Sequence, residues 1–199
     1  MQVQAVLQER DPDDDRPVVL LVQDEARFGR INSVQRCWAP AGLRPTVPYQ
    51  IVRESLYAFA AVDPASGAMT CLVLPEANIA MMNVFLAQVA EDFADSFVVM
   101  QVDGAAWHTS PKLQVPENIR LITQPAYSPE LNPVEHLWDD IREKEFPNVL
   151  HDSLDEVKKA LSKGLCRLAA APEKLSSMTF FPHLRAAWQQ LAWSFACAA

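Results

Sequence analysis

The chain has 199 residues, half of them hydrophobic, and a formal net charge of −8 at pH 7. This length predicts one globular domain, with two small ones as the alternative, and the apolar content excludes fibrous and broadly disordered classes. An acidic chain repels nucleic acid through its overall field, so bulk charge alone gives no support for DNA binding.

The cysteines and the N-terminus indicate an ordinary reduced protein. No two of the four cysteines stand at metal-site spacing, and a chain of this length needs no disulfides. The N-terminus is polar and acidic, unlike a signal peptide, and the uncharged stretches are too short to span a bilayer. We therefore expect a cytoplasmic protein with no membrane contact.

The N-terminal part predicts a tail followed by a buried strand. Residues 1–16 read as an acidic tail or linker, because QERDPDDDR combines charge with proline. The run PVVLLVQDE, at 17–25, predicts a strand that is buried on both faces and ends in Asp24 and Glu25.

The middle of the chain predicts an irregular segment, a hairpin and a helix. Residues 26–53 contain prolines, glycines and five arginines but no acid, which predicts irregular structure. The apolar runs at 55–63 and 68–75 flank the turn sequence PASG and predict a β-hairpin. Apolar residues at helical spacing over 78–94 predict a helix with Asn78 as its N-cap.

Two strands and three helices complete the predicted order. They are strands at 96–104 and 118–124, a helix opened by the stretch at 125–138, a helix from Ser153 to about residue 170, and a helix at 183–197. This mixed order predicts an α/β protein with a sheet covered by helices.

Two of the predicted buried strands end alike, in LLVQD and MQVD. If they are parallel neighbours, Asp24 and Asp103 emerge side by side at one edge of the sheet. Carboxylates about 5 Å apart repel by roughly 3 kcal/mol, and a cation between them removes this cost. Oxygen ligands suit Mg²⁺ or Mn²⁺. The alternative for either residue is an acid that starts a turn.

The stretch PAYSPELNPVEHLW places an acid in the first turn of a helix. Asn132 is the expected N-cap, Pro133 the first helical residue and Glu135 the third. With Val134 and Trp138 in the apolar stripe, Glu135 lies at the edge of that stripe and can lean toward the two aspartates. The alternative is a capping box, which is a purely structural device.

Four blocks of the sequence resemble the catalytic domain of DDE transposases. They are QDEARFGR, RCWAPAGLRP, DGAAWHTS and PAYSPELNPVEHLWDDIREKEF, in that order between about residues 17 and 165. The last block is the most specific, and the nearest resemblance is to bacterial insertion-sequence enzymes of the Tc/mariner superfamily.

This resemblance implies an RNase H-like fold with a five-stranded mixed sheet flanked by helices. We expect the catalytic domain at 17–170 and a C-terminal helical extension packed on it at 171–199. The resemblance also implies that Asp24, Asp103 and Glu135 form an acidic triad holding two Mg²⁺ ions, for which Mn²⁺ can substitute. The implied reaction is strand cleavage at transposon ends followed by strand transfer into target DNA.

Other residues are expected near this site. His108, Asn132 and Glu25 are predicted to adjoin the triad, although a local hydrogen bond is the alternative role for His108. The arginines of the irregular segment, and in particular Arg27, Arg30 and Arg44, are predicted to contact DNA phosphates. The alternative is a solvated loop.

Related transposases carry helix-turn-helix domains before the first aspartate, whereas an acidic stretch of only about 16 residues precedes the first predicted strand here. We therefore expect a split or truncated enzyme whose DNA-binding half is on a separate chain. Expected partners are transposon-end and target DNA, that separate chain and a second copy in a homodimer, in a bacterial cytoplasm and on its nucleoid. The alternatives are another RNase H-like nuclease and an inactive, domesticated fragment that serves as an interaction module.

Overall fold

The computed structural model describes residues 2–105, 108, 110–125 and 128–196, and in the last helix the side chains up to residue 189. Three residues of the DGAAWHTS block, two of the PAYSP stretch and Cys197 at the end of the last predicted helix lie outside the described residues.

Five strands form one mixed sheet, as the sequence predicts. They are β1 Val18–Gly29, β2 Ser55–Val62, β3 Met69–Leu74, β4 Phe97–Val102 and β5 Ile119–Thr123, in the spatial order β3-β2-β1-β4-β5. The pairs β1–β2 and β2–β3 are antiparallel, and the pairs β1–β4 and β4–β5 are parallel. The parallel pairs place the C-terminal ends of β1, β4 and β5 on the same side.

β1 is longer than predicted, because it continues past Glu25 to Gly29. The expectation of irregular structure from residue 26 is wrong for these four positions. Ala26 and Phe28 are buried while Arg27 between them is exposed, which is the alternation of a strand with one face on the core. The acids therefore lie within the strand and not at its end.

In the part of the chain that the structure describes, six α-helices and a short 3₁₀ helix at Pro129–Leu131 accompany the sheet. The α-helices are α1 Gln2–Gln8, α2 Ile79–Asp92, α3 Glu135–Glu145, α4 Leu154–Ala169, α5 Pro172–Thr179 and α6 Pro182–Ala196. None of these helices, over the residues described, has both the length and the apolar character that crossing a bilayer requires.

The helices cover both faces of the sheet. α2 packs on one face, in a buried cluster that includes Leu21 and Phe59. α3, α4 and α5 pack on the opposite face, in a second cluster that includes Leu20, Val22 and Trp138. Successive residues of β1 thus enter different layers, which explains why its sequence is an uninterrupted apolar run.

The predicted caps of α2 and α4 are observed. The side-chain oxygen of Asn78 accepts a hydrogen bond from the backbone N–H of Met81 at 3.0 Å. Ser153 accepts one from the N–H of Glu156 at 3.3 Å. Each bond satisfies a donor that the first turn of a helix leaves free, which fixes where the helix begins.

The first 16 residues are more ordered than the predicted solvated tail. Val3, Val6 and Leu7 of α1 pack against the core, and their spacing is that of one helix face. Asp14 then pairs with Arg10 at 3.0 Å and with Arg16 at 2.7 Å, so the charged residues satisfy one another. α5, which begins at Pro172, lies in the predicted helical extension but was not predicted as a separate helix.

The turn of the β2–β3 hairpin lies against the start of α5. Gly67 has a φ of +75°, and a Cβ atom built on it would lie 1.9 Å from the carbonyl oxygen of Pro172. Ser176 donates a hydrogen bond to the carbonyl oxygen of Ala65 at 3.2 Å. The hairpin and α5 therefore meet through backbone contact, which only glycine permits at this position.

Candidate active site

The parallel register of β1 and β4 brings two aspartates to neighbouring positions. Val22 pairs with Gln101, and Asp24 and Asp103 each follow two residues later. Asp103 comes directly after the end of β4, whereas Asp24 still pairs with Ala60 of β2. The expected adjacency of the two acids is observed in the backbone, but only Asp103 is at a strand end.

Glu135 is the first residue of α3, and its side chain is exposed. The predicted N-cap arrangement is wrong, because Val134 occupies the cap position without any side-chain hydrogen bond. Within the described residues the carboxylate of Glu135 forms no hydrogen bond, so the capping-box alternative is not observed either. Its charge therefore faces solvent at the edge of the sheet.

Asn132 has a different structural role from the one predicted. Its side-chain oxygen accepts a hydrogen bond from the N–H of Val134 at 3.1 Å, in the turn that precedes α3. Its side-chain nitrogen donates to the carbonyl oxygen of Gln23 at 3.3 Å. Asn132 is buried, and it ties the entry of α3 to the β1 residue before Asp24.

Trp138 connects α3 directly to Asp24. The indole Nε1 donates a hydrogen bond to Oδ2 of Asp24 at 2.8 Å, between residues 114 positions apart in the chain. The Trp138 side chain is fully buried. Trp138 was predicted only as a member of the apolar stripe. A buried indole N–H usually has a hydrogen-bond acceptor, and this requirement could have indicated a polar partner for Trp138.

Asp24 lies in unusually negative surroundings. Burial raises the pKa of Asp24 to about 7, the Trp138 hydrogen bond opposes that rise, and the carboxylates of Glu135 and Glu25 add to it. No lysine or arginine among the described residues forms an ion pair with Asp24 or Glu135. Negative charge is therefore concentrated at this edge of the sheet.

His108 lies between Asp103 and Glu25. Its Nδ1 is 2.7 Å from Oδ1 of Asp103, and its Nε2 is 3.9 Å from Oε2 of Glu25. Gln23 also donates to Oε2 of Glu25, at 3.0 Å. Asp103 accepts the backbone N–H of Ala105 at 2.9 Å, so it also starts a turn. His108 therefore lies beside Asp103 and Glu25, and its contact with Asp103, five residues earlier, is also the local bond of the alternative, so its role near the triad stays a prediction.

The donor chemistry at this edge fits a hard divalent cation. The carboxylate oxygens of Asp24, Asp103 and Glu135 are ligands that Mg²⁺ and Mn²⁺ prefer. The raised pKa of Asp24 means that a further negative charge is costly there, and a cation would reduce that cost. In the part of the chain that is described, no three His, Cys, Asp or Glu side chains are grouped closely enough to hold an ion as they stand.

The three predicted DNA-contacting arginines differ in their surroundings. Arg30 pairs with Glu54 at 2.8 Å and donates to the carbonyl oxygen of His151 at 2.9 Å, so it has structural partners. Arg27 and Arg44 are exposed. Residues 31–54 contain no helix or strand, in agreement with the prediction for this segment.

One known protein family matches most of this chain. The profile of a family described as "DDE superfamily endonuclease" matches residues 19–158, which is well over half of the chain. The chain belongs to this family. The predicted membership of the DDE family is confirmed.

The chain also has similar proteins among known sequences and solved structures. A protein of Sinorhizobium fredii (strain NBRC 101917 / NGR234), "Uncharacterized protein y4pE/y4sA", is 36% identical over 123 residues, covering 61% of this chain and 91% of that protein. The crystal structure of the Mos1 mariner paired end complex with Mn matches with a TM-score of 0.58 at 17% identity, over 89% of this chain and 57% of that one. A pre-cleavage Mos1 transpososome matches with a TM-score of 0.56 at 16% identity, over 97% of this chain and 59% of that one.

These structural likenesses confirm the RNase H-like fold with a five-stranded mixed sheet. The chain spans less than two thirds of the length of the Mos1 chains it matches, at 57% and 59% in the two complexes.

Proposed function

We propose that this chain is the catalytic domain of a bacterial insertion-sequence transposase, which cleaves DNA at transposon ends and joins those ends to target DNA. The family assignment supports endonuclease chemistry. The observation that carries the proposal is geometric: the parallel register of β1 and β4 sets Asp24 beside Asp103, and the Trp138 hydrogen bond ties α3, which begins at Glu135, to Asp24.

We further propose that Asp24, Asp103 and Glu135 are the catalytic acids and would hold two Mg²⁺ ions, with Mn²⁺ as a substitute. When bound, such ions polarise the scissile phosphate and make the attacking water or 3′-hydroxyl a better nucleophile. Two observations support this assignment: the oxygen-only donors, and the cost of unneutralised charge at Asp24. The matched Mos1 complexes are described as containing Mn in one case and Mg in another.

The surrounding residues would position these acids and the substrate. His108, held against Asp103, would orient that carboxylate and keep it hydrogen-bonded. Asn132 would fix the entry of α3 relative to β1. The exposed Arg27 and Arg44 would contact DNA phosphates, which adds local positive charge to a chain that is acidic overall.

The partners follow from this reaction. The substrates would be transposon-end DNA and target DNA, and two ends are most simply held by a homodimer. A helix-turn-helix chain would supply end recognition, since the net charge of −8 is unfavourable for DNA binding by this chain alone. The proposed site of action is chromosomal DNA in the bacterial cytoplasm.

The test is Mg²⁺-dependent cleavage by the 199-residue chain of DNA that carries its terminal repeats. Asp24→Asn, Asp103→Asn and Glu135→Gln are each expected to abolish cleavage while the circular dichroism spectrum stays that of the wild type. Any one of these variants that still cleaves would remove its residue from the triad.

Two further measurements separate the alternatives. Joining of pre-cleaved ends to a target plasmid is expected of a transposase and not of another RNase H-like nuclease. Mn²⁺ binding measured by calorimetry is expected of either enzyme. A chain that bound no Mn²⁺ would instead be an interaction module.

A further inference from the structure

We propose that Trp138 is a positioning residue, whose indole N–H holds the carboxylate of Asp24 in the orientation that lets Asp24 and Glu135 act on the same ion. This role rests on the proposed function, because it concerns the same acids. It assigns Trp138 a task beyond filling the core.

The geometry of the contact is specific. Nε1 is the only polar atom of the Trp138 side chain, and it lies 2.8 Å from Oδ2 of Asp24. The residue is fully buried, and its ring packs edge-on against Phe28 with centroids 6.1 Å apart. The indole therefore cannot turn away to find another acceptor. A hydrogen bond of this length between a fixed donor and Oδ2 restricts the rotation of the carboxyl group, so it orients Asp24.

The position of Trp138 in α3 also matters. It stands one helical turn after Glu135, so a bond from this residue fixes the helix close to the acid that the helix presents. Asn132 provides the matching tie on the other side of Glu135, through its bond to the carbonyl oxygen of Gln23. The two bonds bracket Glu135 in sequence, and both end on adjacent residues of β1. Together they fix where the first turn of α3 lies along β1, next to Asp24.

A core residue that only filled space would not need this bond. Phenylalanine or leucine would pack in the same layer without burying an N–H group that must be satisfied. The acceptor that satisfies it is Oδ2 of Asp24. The indole thus occupies one of the two carboxyl oxygens and leaves Oδ1 as the oxygen that it does not hold.

The first test is Mn²⁺ affinity of the intact chain, measured by calorimetry without DNA. Trp138→Phe keeps an aromatic ring and removes the hydrogen-bond donor. We expect it to weaken Mn²⁺ binding roughly 10-fold, because losing a residue that orients a metal ligand typically has an effect of this size. Ile141→Val is the matched control, because Ile141 lies buried in the same helix without a polar atom. It is expected to leave the affinity within about twofold of the wild type.

The second test does not depend on how well the Phe variant folds. In ¹⁵N-labelled wild-type protein without metal, the Trp138 indole N–H is expected to give a downfield signal that exchanges slowly with solvent. Asp24→Ala removes the acceptor, so that signal should move upfield and exchange faster. An indole signal unchanged in Asp24→Ala would overturn the proposal.

The outcomes separate this role from the proposed function. Wild-type protein that binds Mn²⁺, together with a folded Trp138→Phe variant of equal affinity, would overturn the positioning role and leave the proposed function standing. Wild-type protein that binds no Mn²⁺ would overturn both. Weakened binding in Trp138→Phe with normal binding in Ile141→Val supports the role.

Discussion

The two ends of α3 hold carboxylates in opposite electrostatic surroundings. At its C-terminal end, Asp140 and Glu145 form what we term the basic-paired cluster, whose cationic members are Lys144, Lys163, Arg167 and Lys174. Lys174 lies 2.6 Å from Asp140, and Arg167 lies 2.7 Å from it. Burial alone would raise the pKa of Asp140, but hydrogen bonds from Lys144, Lys174 and Arg167 together lower it well below its usual range.

At the N-terminal end, Glu135 and the neighbouring Asp24 receive no such compensation from the described lysines and arginines. Here the pKa of Asp24 rises to about 7, first through burial and then through Glu135 and Glu25. The same helix thus carries neutralised acids at one end and acids in a negative field at the other. This difference teaches that acids retained without counter-charge are better candidates for binding a cation than acids in ion-pair networks.

The largest expected effect separates the two ends by activity. Glu135→Gln should lower the rate of Mg²⁺-dependent cleavage at least about 10³-fold, since a lost metal ligand removes several kcal/mol of transition-state stabilisation. Asp140→Asn should leave the rate within about threefold, because Asp140 lies in the basic-paired cluster. Both rates are measured on the same DNA at saturating Mg²⁺. Similar losses in the two variants would remove the distinction.

The next effect concerns stability against pH. Native Asp24 keeps its proton up to about pH 7, whereas the unfolded chain releases it near 3.8. Between these pH values the native state binds more protons, so the free energy of unfolding falls as pH rises. Asparagine cannot titrate, so the Asp24→Asn variant does not lose stability over this pH range. At about pH 8 we expect the variant to be more stable than the wild type by up to about 4 kcal/mol of unfolding free energy.

Urea unfolding at several pH values measures this difference, which should vanish toward pH 3.8. Asp95→Asn, at an exposed acid, is the control and should show no such trend. An Asp24→Asn difference that does not grow with pH would contradict the burial of a neutral carboxyl.

A smaller effect of opposite sign is expected in the basic-paired cluster. Hydrogen-bonding partners lower the pKa of Asp140 in the folded protein, so its ionised carboxylate stabilises the fold at any pH above the unfolded pKa of 3.8. This stabilisation is lost as the pH falls through the lower pKa of the native state. Asp140→Asn should therefore cost about 1–2 kcal/mol of unfolding free energy at neutral pH, allowing for the partly exposed partners.

The neighbouring Asp139, whose side chain is 67% exposed, supplies the matched control for this prediction. Asp139→Asn should change the unfolding free energy by less than about 0.5 kcal/mol. An Asp140→Asn effect that persisted in strong acid would show that packing, and not ion pairing, is responsible.

The smallest expected effect tests the arginine segment. Arg27→Ala or Arg44→Ala should reduce the slope of log affinity against log salt by about 1 if each contacts one phosphate. Lys159→Ala removes the same charge from an exposed position on α4 and should leave the slope unchanged. Fluorescence anisotropy with labelled DNA over a range of salt concentrations gives these slopes, and equal slopes in all three variants would favour a solvated loop.

Local periodicity was enough to predict the strands and most helices, because apolar spacing is set by each element itself. It was insufficient where a strand continues past a charged pair, as β1 does through Ala26 and Phe28. The charges of residues 8–16 concealed the helical spacing of Val3, Val6 and Leu7. Periodicity therefore fails where composition changes within an element.

The adjacency of the two aspartates was predictable to the level of the backbone. Matching strand ends gave the adjacency of Asp24 and Asp103, which the parallel register bears out. The Trp138–Asp24 bond joins residues 114 positions apart, and nothing local to either sequence determines it. Side-chain contacts between distant elements depend on how α3 sits on the sheet, and this is set by packing over the whole layer.

The close approach at Gly67 has a consequence for rebuilding this protein. A Cβ atom there would lie 1.9 Å from the Pro172 carbonyl oxygen, so even alanine would force the hairpin tip away from α5. Peptide tags or fused modules inserted in this turn would disturb the contact between the hairpin and α5. At Gly42, in the exposed stretch between β1 and β2, a Cβ would meet nothing within 4 Å, so there only the φ of +87° favours glycine.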